Sequence, residues 1–225
     1  MRLIINHLTR MQPGYFCAAG IEIKTGLHVR PILETGLKTE LLHRNGGPFE
    51  LGATLDLGPT RFIGHTPELE DRAFDVSNLR TVEPPNPAGL NAVCQRVARS
   101  SLFEIFTNAL EAMGTSFVIP ANQGLHSLGC LWVERPMLEF TCEYGTSRVR
   151  LIWSEKGKPV AVGVADIRLF EADHRTLQTQ EIDRFQEIIS RSDRVLLSVG
   201  LSRPYRKSEQ EPAYHWLQVN NIHIV

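Results

Sequence analysis

Apolar residues along this chain change rhythm three times. Up to about residue 80 they fall in short alternating runs separated by Gly and Pro: Leu3 to His7, Tyr15 to Ile23, His28 to Leu33, Thr54 to Leu57 and Arg61 to His65. Period-two runs bounded by Gln12-Pro13-Gly14, Lys24-Thr25-Gly26 and Asn45-Gly46-Gly47-Pro48 predict strands and turns, with a hairpin at Thr25-Gly26. Residues 36–44 predict one or two helical turns. Glu83-Pro84-Pro85-Asn86-Pro87 then suits neither a central strand nor a helix interior and predicts a linker.

Beyond it the period becomes helical. Leu90, Val93 and Val97 share a face, and Ser101-Leu102-Phe103-Glu104 has the form of a capping box. The stripe Leu102, Ile105, Phe106, Ala109, Leu110 and Met113 extends that helix toward residue 113. Strand patterns return at Phe117 to Ile119, Gly129 to Val133, Met137 to Tyr144, Arg148 to Ser154 and Val160 to Phe170. The pair 137–144 and 148–154 predicts a long hairpin turning at Glu143-Tyr144-Gly145-Thr146. One helix over Thr179 to Ser190 precedes two final strands, Arg194 to Gly200 and Tyr214 to Val225. Strands in clusters, with helices that do not alternate with them, predict a mainly β chain with a few helices (α+β). The layout is two tandem small barrels: residues 1–82, a Pro-rich and helical connection over 83–114, and residues 115–225 with an inserted helix.

The two halves echo each other. Val29-Arg30-Pro31 and Ser202-Arg203-Pro204 both end a strand on Arg-Pro. Proline forces the preceding Arg toward extended geometry, which holds it at a strand end pointing across a barrel mouth. Gly14-Tyr15-Phe16-Cys17-Ala18-Ala19-Gly20-Ile21-Glu22 with Thr25-Gly26-Leu27-His28-Val29-Arg30-Pro31 resembles the opening of the bacterial dual OB-fold domain family. Gly200-Leu201-Ser202-Arg203-Pro204-Tyr205 and His215-Trp216-Leu217-Gln218-Val219-Asn220-Asn221-Ile222 resemble its ending. His28 departs from the aromatic residue that the family carries two positions before the Arg. The resemblance implies two OB-like barrels and, by analogy of fold, contact with nucleic acid.

Composition narrows the chemistry. The 225 residues are 42% hydrophobic with a formal net charge of -1, and nineteen of the 24 basic residues are Arg. A near-neutral chain confines any anion site to a local patch. Two patches combine Arg with aromatics: the loop Arg203-Pro204-Tyr205-Arg206-Lys207 facing Trp216, and Arg148 with Arg150 on the hairpin, where alternation puts Trp153 on the opposite face. Guanidinium groups meet phosphate while rings stack on bases. The expected contact residues are therefore Arg30, Arg203, Tyr205, Arg206 and Trp216, with Arg148 and Arg150 secondary.

Motifs for nucleotide cradling, zinc proteolysis or a nucleophile elbow are absent from the sequence. The expectation is a non-enzymatic binder of single-stranded DNA or RNA without cofactor or metal, acting within a larger complex. A protein–protein adaptor without free nucleic-acid affinity is an alternative. A metal-dependent nuclease built on Glu68, Glu70 and Asp71 is another, against the reading of that acidic run as a solvated loop. Asp166 and Arg168 are expected to pair on one strand face. The four scattered cysteines, Cys17, Cys94, Cys130 and Cys142, fit buried thiols in a reducing cytoplasm. No apolar run reaches the length of a membrane span.

Overall fold

A computed structural model describes residues 1–143, 146–206 and 208–224. Tyr144 and Gly145 of the expected turn, Lys207 of the basic loop, Val225 and the Cys142 side chain lie outside the described residues. The N-terminal half carries β1 (Arg2–Arg10), β2 (Tyr15–Glu22), β3 (His28–Ile32), β4 (Leu37–Lys38), β5 (Thr54–Asp56), β6 (Thr60–Phe62), β7 (Asp71–Phe74) and β8 (Arg80–Glu83). Helices α1 (Pro87–Val97) and α2 (Leu102–Phe106) follow. The C-terminal half carries β9 (Glu111–Met113), β10 (Ser116–Pro120), β11 (Leu128–Glu134), β12 (Met137–Glu143), β13 (Thr146–Glu155), β14 (Lys158–Gly163), α3 (Thr179–Ser190), β15 (Arg194–Leu201) and β16 (Tyr214–His223).

The first lobe is one eight-stranded sheet ordered β6-β7-β3-β2-β1-β5-β8, with β4 added to β2. All its pairings are antiparallel except β3 with β7. The second lobe has five strands ordered β11-β15-β16-β10-β9 and three ordered β12-β13-β14. A bridge between Val164 and Val219 joins these two sheets. They close over a single core that includes Leu131, Leu151, Trp153, Phe170 and Phe185. Each lobe thus curls into a half-barrel, the architecture that the two strand clusters predict.

Packing explains where the elements differ from their sequence pattern. Strands β7 and β8 escape the periodicity because neither alternates apolar with polar: β7 begins Asp71-Arg72, and β8 is exposed throughout. The stripe expected to run as helix to Met113 stops at Phe106, because Thr107 takes φ 58°, and Leu110 is buried from extended backbone instead. The Ser101 hydroxyl caps α2 by accepting from Phe103 N at 3.2 Å, but Glu104 accepts from Ser100 Oγ rather than completing a capping box. The strand expected over Val160 to Phe170 ends at Gly163. Asp166 there caps a short 3-10 turn and pairs with Arg168 at 2.6 Å, so the pair forms on different backbone from that expected.

The expected linker is a fixed joint. The Asn86 side chain accepts from Gly89 N at 3.0 Å, and Pro87 occupies the first turn of α1, where a missing N–H costs nothing. Helix α1 packs on β1 of the first lobe and on β11 and β15 of the second. Leu196, Ile167 and Cys130 accordingly join the core of the first lobe. Strand β1 is buried from Leu3 to Thr9 because its own lobe covers one face and the second lobe covers the other.

Candidate nucleic-acid interface

The residues expected to contact nucleic acid separate into two places. One is a junction between the lobes. Arg30 is 4% exposed; its Nε donates to Asp71 Oδ1 at 2.6 Å and its Nη2 to Ser127 Oγ at 3.1 Å. Arg203 reaches the same carboxylate from the second lobe, with Nη2 at 2.8 Å from Asp71 Oδ2 and Nη1 at 2.7 Å from Glu68 Oε1. Both Arg-Pro strand ends therefore converge on Asp71. The first lobe returns a carboxylate: Glu70 accepts from Ser127 N at 2.8 Å and from Ser127 Oγ at 2.9 Å.

This corrects two expectations. Arg30 does not project from a barrel mouth, because β7 lies parallel to β3 and sets Asp71 opposite it. The acidic run is not a solvated loop either, since Glu68, Glu70 and Asp71 are 2%, 6% and 3% exposed. Its oxygens face Arg30, Arg203 and Ser127. Among the described residues no group of three or more His, Cys, Asp or Glu side chains is placed to hold a metal ion.

The second place is an open groove of about 650 Å³ on the second lobe. Arg148 and Arg150 stand on the exposed face of β13, with Val149 buried between them. Trp153 is 4% exposed, on the opposite face as alternation requires. Gly163 of β14 sits across from Arg150 in register, and a Cβ there would meet nothing within 4 Å, so this wall stays open. Trp216 of β16 and Tyr205 form the other wall. Backbone bonds of 3.1 Å in both directions between Tyr205 and Tyr214 fix the loop against β16. The Tyr205 ring then stacks on Trp216, with centroids 5.9 Å apart and planes at 25°. Tyr205 remains 48% exposed, and partial burial pushes its hydroxyl pKa up. Arg206, beside it, is exposed.

Arg10 also lines this groove, although its sequence context carries no binding signal. It arrives from β1 across the lobe junction. Its guanidinium lies 4.0 Å from the Phe170 ring centroid and its Nη1 donates to His174 O at 2.7 Å, so the cation is held in place. Burial lowers its pKa from the ordinary value. Ser202 and Gln218 add polar groups to the lining.

The charges of the groove have one sign. Among the described residues, Arg10, Arg148 and Arg150 line it without an Asp or Glu in the lining, in a protein of net charge -1. Glu139, in register with Arg150, belongs to β12 outside the lining. A groove of similar size between the lobes, about 600 Å³, mixes Arg72, Arg96 and Arg99 with Glu22, Glu70 and Glu104.

No helix among the described residues is long and apolar enough to cross a membrane. No curated protein and no solved structure matches the chain. The family model described as the dual OB-containing domain matches residues 1–222, and the chain belongs to that family.

Proposed function

We propose that this protein binds single-stranded nucleic acid without catalysing a reaction on it, through the groove between β13 and β16. The observation that carries the reading is a groove lined, among the described residues, by three Arg and no carboxylate, with an exposed Tyr205 stacked on the half-buried Trp216. A strand laid along it meets Arg148 and Arg150 with its phosphates and Tyr205 with a base, and Arg10 marks the groove's far cation. Stacking tolerates any base, so weak sequence preference is expected. Arg203 and Arg30 drop out of the contact set because both are committed to Asp71. Their place in the mechanism is to hold the two lobes together.

Fluorescence anisotropy with labelled oligo-dT and oligo-U tests this over a salt series. Three phosphate contacts give a slope of log K against log salt of about -2. Replacing both Arg148 and Arg150 by Ala removes about 1.4 from that slope. Tyr205→Ala costs about 1–3 kcal/mol of affinity with the slope unchanged. No binding of either oligomer at low salt overturns the proposal.

Edge strand β12 favours a second reading, that of a protein adaptor in a complex, because Met137 and Phe140 are 54% and 51% exposed on it. Protein partners retained after nuclease treatment, and lost in a Met137→Ser/Phe140→Ser variant, support that reading.

A further inference from the structure

A cavity of about 360 Å³ between the lobes stands apart from both grooves in character. Phe16, Ile32 and Leu37 line it from the first lobe, and Leu128 and Leu201 from the second. Small-ligand sites run from about 300 to 1,000 Å³, with apolar walls and a few fixed polar groups. This cavity has that construction at the small end of the range.

Two of its polar groups are donors without an acceptor. His7 is 1% exposed and borders this cavity but neither groove described above. Gln218 Nε2 donates to Asn220 Oδ1 at 2.8 Å, which turns Asn220 Nδ2 toward His7 Nδ1, also at 2.8 Å. His7 Nδ1 therefore accepts, and the neutral ring carries its proton on Nε2. Burial and then His28 hold His7 well below the ordinary imidazole range, so the ring is neutral near pH 7. Its Nε2–H finds no acceptor among the described residues, and neither does the buried Nε of Arg10, which also borders the cavity. A buried donor without a partner has lost its hydration for nothing, and an acceptor brought by a ligand restores that loss.

Charge selects the acceptor. Arg10, Arg30 and Arg203 border the cavity, and no Asp or Glu among the described residues does. Asp71 and Glu68 neutralise Arg30 and Arg203. Arg10 has no carboxylate partner among the described residues; the Phe170 ring and His174 O hold its guanidinium. One uncompensated cation asks for one negative charge, the orphaned donors ask for oxygen, and the walls ask for hydrocarbon. We propose that this cavity binds a small monocarboxylic acid with an apolar body, its carboxylate at Arg10 and His7 Nε2–H and its body against Phe16, Leu128 and Leu201. Such a ligand touches both lobes and favours their docked arrangement. The proposal does not rest on the nucleic-acid reading: Arg148, Arg150 and Tyr205 do not border the cavity, and only Arg10 among the proposed strand contacts does.

NMR titration of the wild-type full chain with sodium octanoate and sodium benzoate tests this, with octanamide and benzamide as uncharged controls. One saturable site is expected, with methyl shifts concentrated on Ile32, Leu37, Leu128 and Leu201 and a moved His7 Nε2 proton. The amides are expected to bind about tenfold more weakly, because they lack the charge-assisted hydrogen bonds of the acids. Arg10→Met keeps an apolar stem without the charge, and it is expected to close that gap by weakening the acids alone. The wild-type titration is decisive without the variant. The proposal is overturned when neither acid moves those methyls at millimolar concentration, when octanamide binds as tightly as octanoate, when the His7 Nε2 proton stays unmoved, or when the shifts fall on Met137 and Phe140 of β12 instead. Oligonucleotide binding is measured separately, so the two readings fail separately.

Discussion

Asp71 ties the two lobes to each other, because it is buried and shared by two guanidinium groups from different lobes. Removing one member of a buried ion pair leaves an uncompensated charge, which costs far more than the pair contributes. Asp71→Asn strands Arg30, at 5% side-chain exposure, and is expected to lower unfolding free energy by about 3–5 kcal/mol. Arg203→Ala costs less, since that side chain is 51% exposed and solvent screens it. Urea denaturation of the two variants checks the order, and equal effects contradict it. Titration adds a second expectation at this scale. Burial lowers the His223 pKa from 6.5 to about 4, against small opposing effects from Cys130 and Asp166. A folded pKa below the unfolded one means that the unfolded chain binds the extra proton first. Stability is therefore complete above about pH 6.5 and falls as pH drops toward 4. His223 alone removes about 2 kcal/mol between pH 7.5 and 5, and His7, lowered by burial and by the neighbouring His28, acts in the same direction. In His223→Gln the pH slope of urea midpoints flattens; an unchanged slope refutes the assignment.

Strands and helices show what the sequence carried at the level of elements. Helix α3 covers residues 179–190 as its apolar spacing predicts, because Ile182, Phe185 and Ile189 alone bury one face. The β12–β13 hairpin, the Thr25-Gly26 turn and the face that Arg148 and Arg150 share opposite Trp153 were legible for the same local reason, while which face points outward was not. What stayed hidden depends on partners distant in sequence. Strand β7 exists because Arg30 and Arg203 neutralise its acidic start, and Arg10 enters the groove from more than 100 residues away. Gly20 shows how tightly such elements are set. A Cβ there would lie 2.8 Å from Ile4 O and 2.9 Å from Leu3 Cβ, both on the adjoining strand β1. Backbone cannot yield as a flexible side chain does, so Gly20→Ala separates β1 from β2 and is expected to cost about 1–3 kcal/mol, as overpacking does. Faster amide exchange confined to β1 and β2 is the accompanying signature, and a neutral variant with unchanged exchange counts against this close approach.

Two strand clusters in the sequence suggest two folding units, yet the contacts between them argue for one. The Asn221 amide imitates a strand partner: its Oδ1 accepts from Leu8 N at 2.7 Å and its Nδ2 donates to Leu8 O at 3.2 Å, stitching β16 to β1. Beside it Asn220 Nδ2 meets His7 Nδ1 at 2.8 Å, and Asn6 Nδ2 donates to Ser198 Oγ at 3.1 Å. These groups are buried, so separating the lobes exposes a polar seam together with Leu196, Ile167 and the apolar face of α1. Neither lobe then keeps a complete core. Urea unfolding of the whole chain is expected to show one transition, coincident by tryptophan emission and far-UV circular dichroism, with the high m-value of a single unit of this size. Asn221→Ala leaves the Leu8 N–H and C=O without their partner and costs about 2–4 kcal/mol, but keeps the single transition. Separately expressed residues 1–114 and 115–225 are expected to lack dispersed amide resonances until they are mixed. Two resolved transitions, or a folded isolated half, make the lobes independent domains and reduce the Asp71 clamp and the Asn221 stitch to surface contacts. Cooperative unfolding makes them the means by which Arg10 of one lobe is held in the groove of the other.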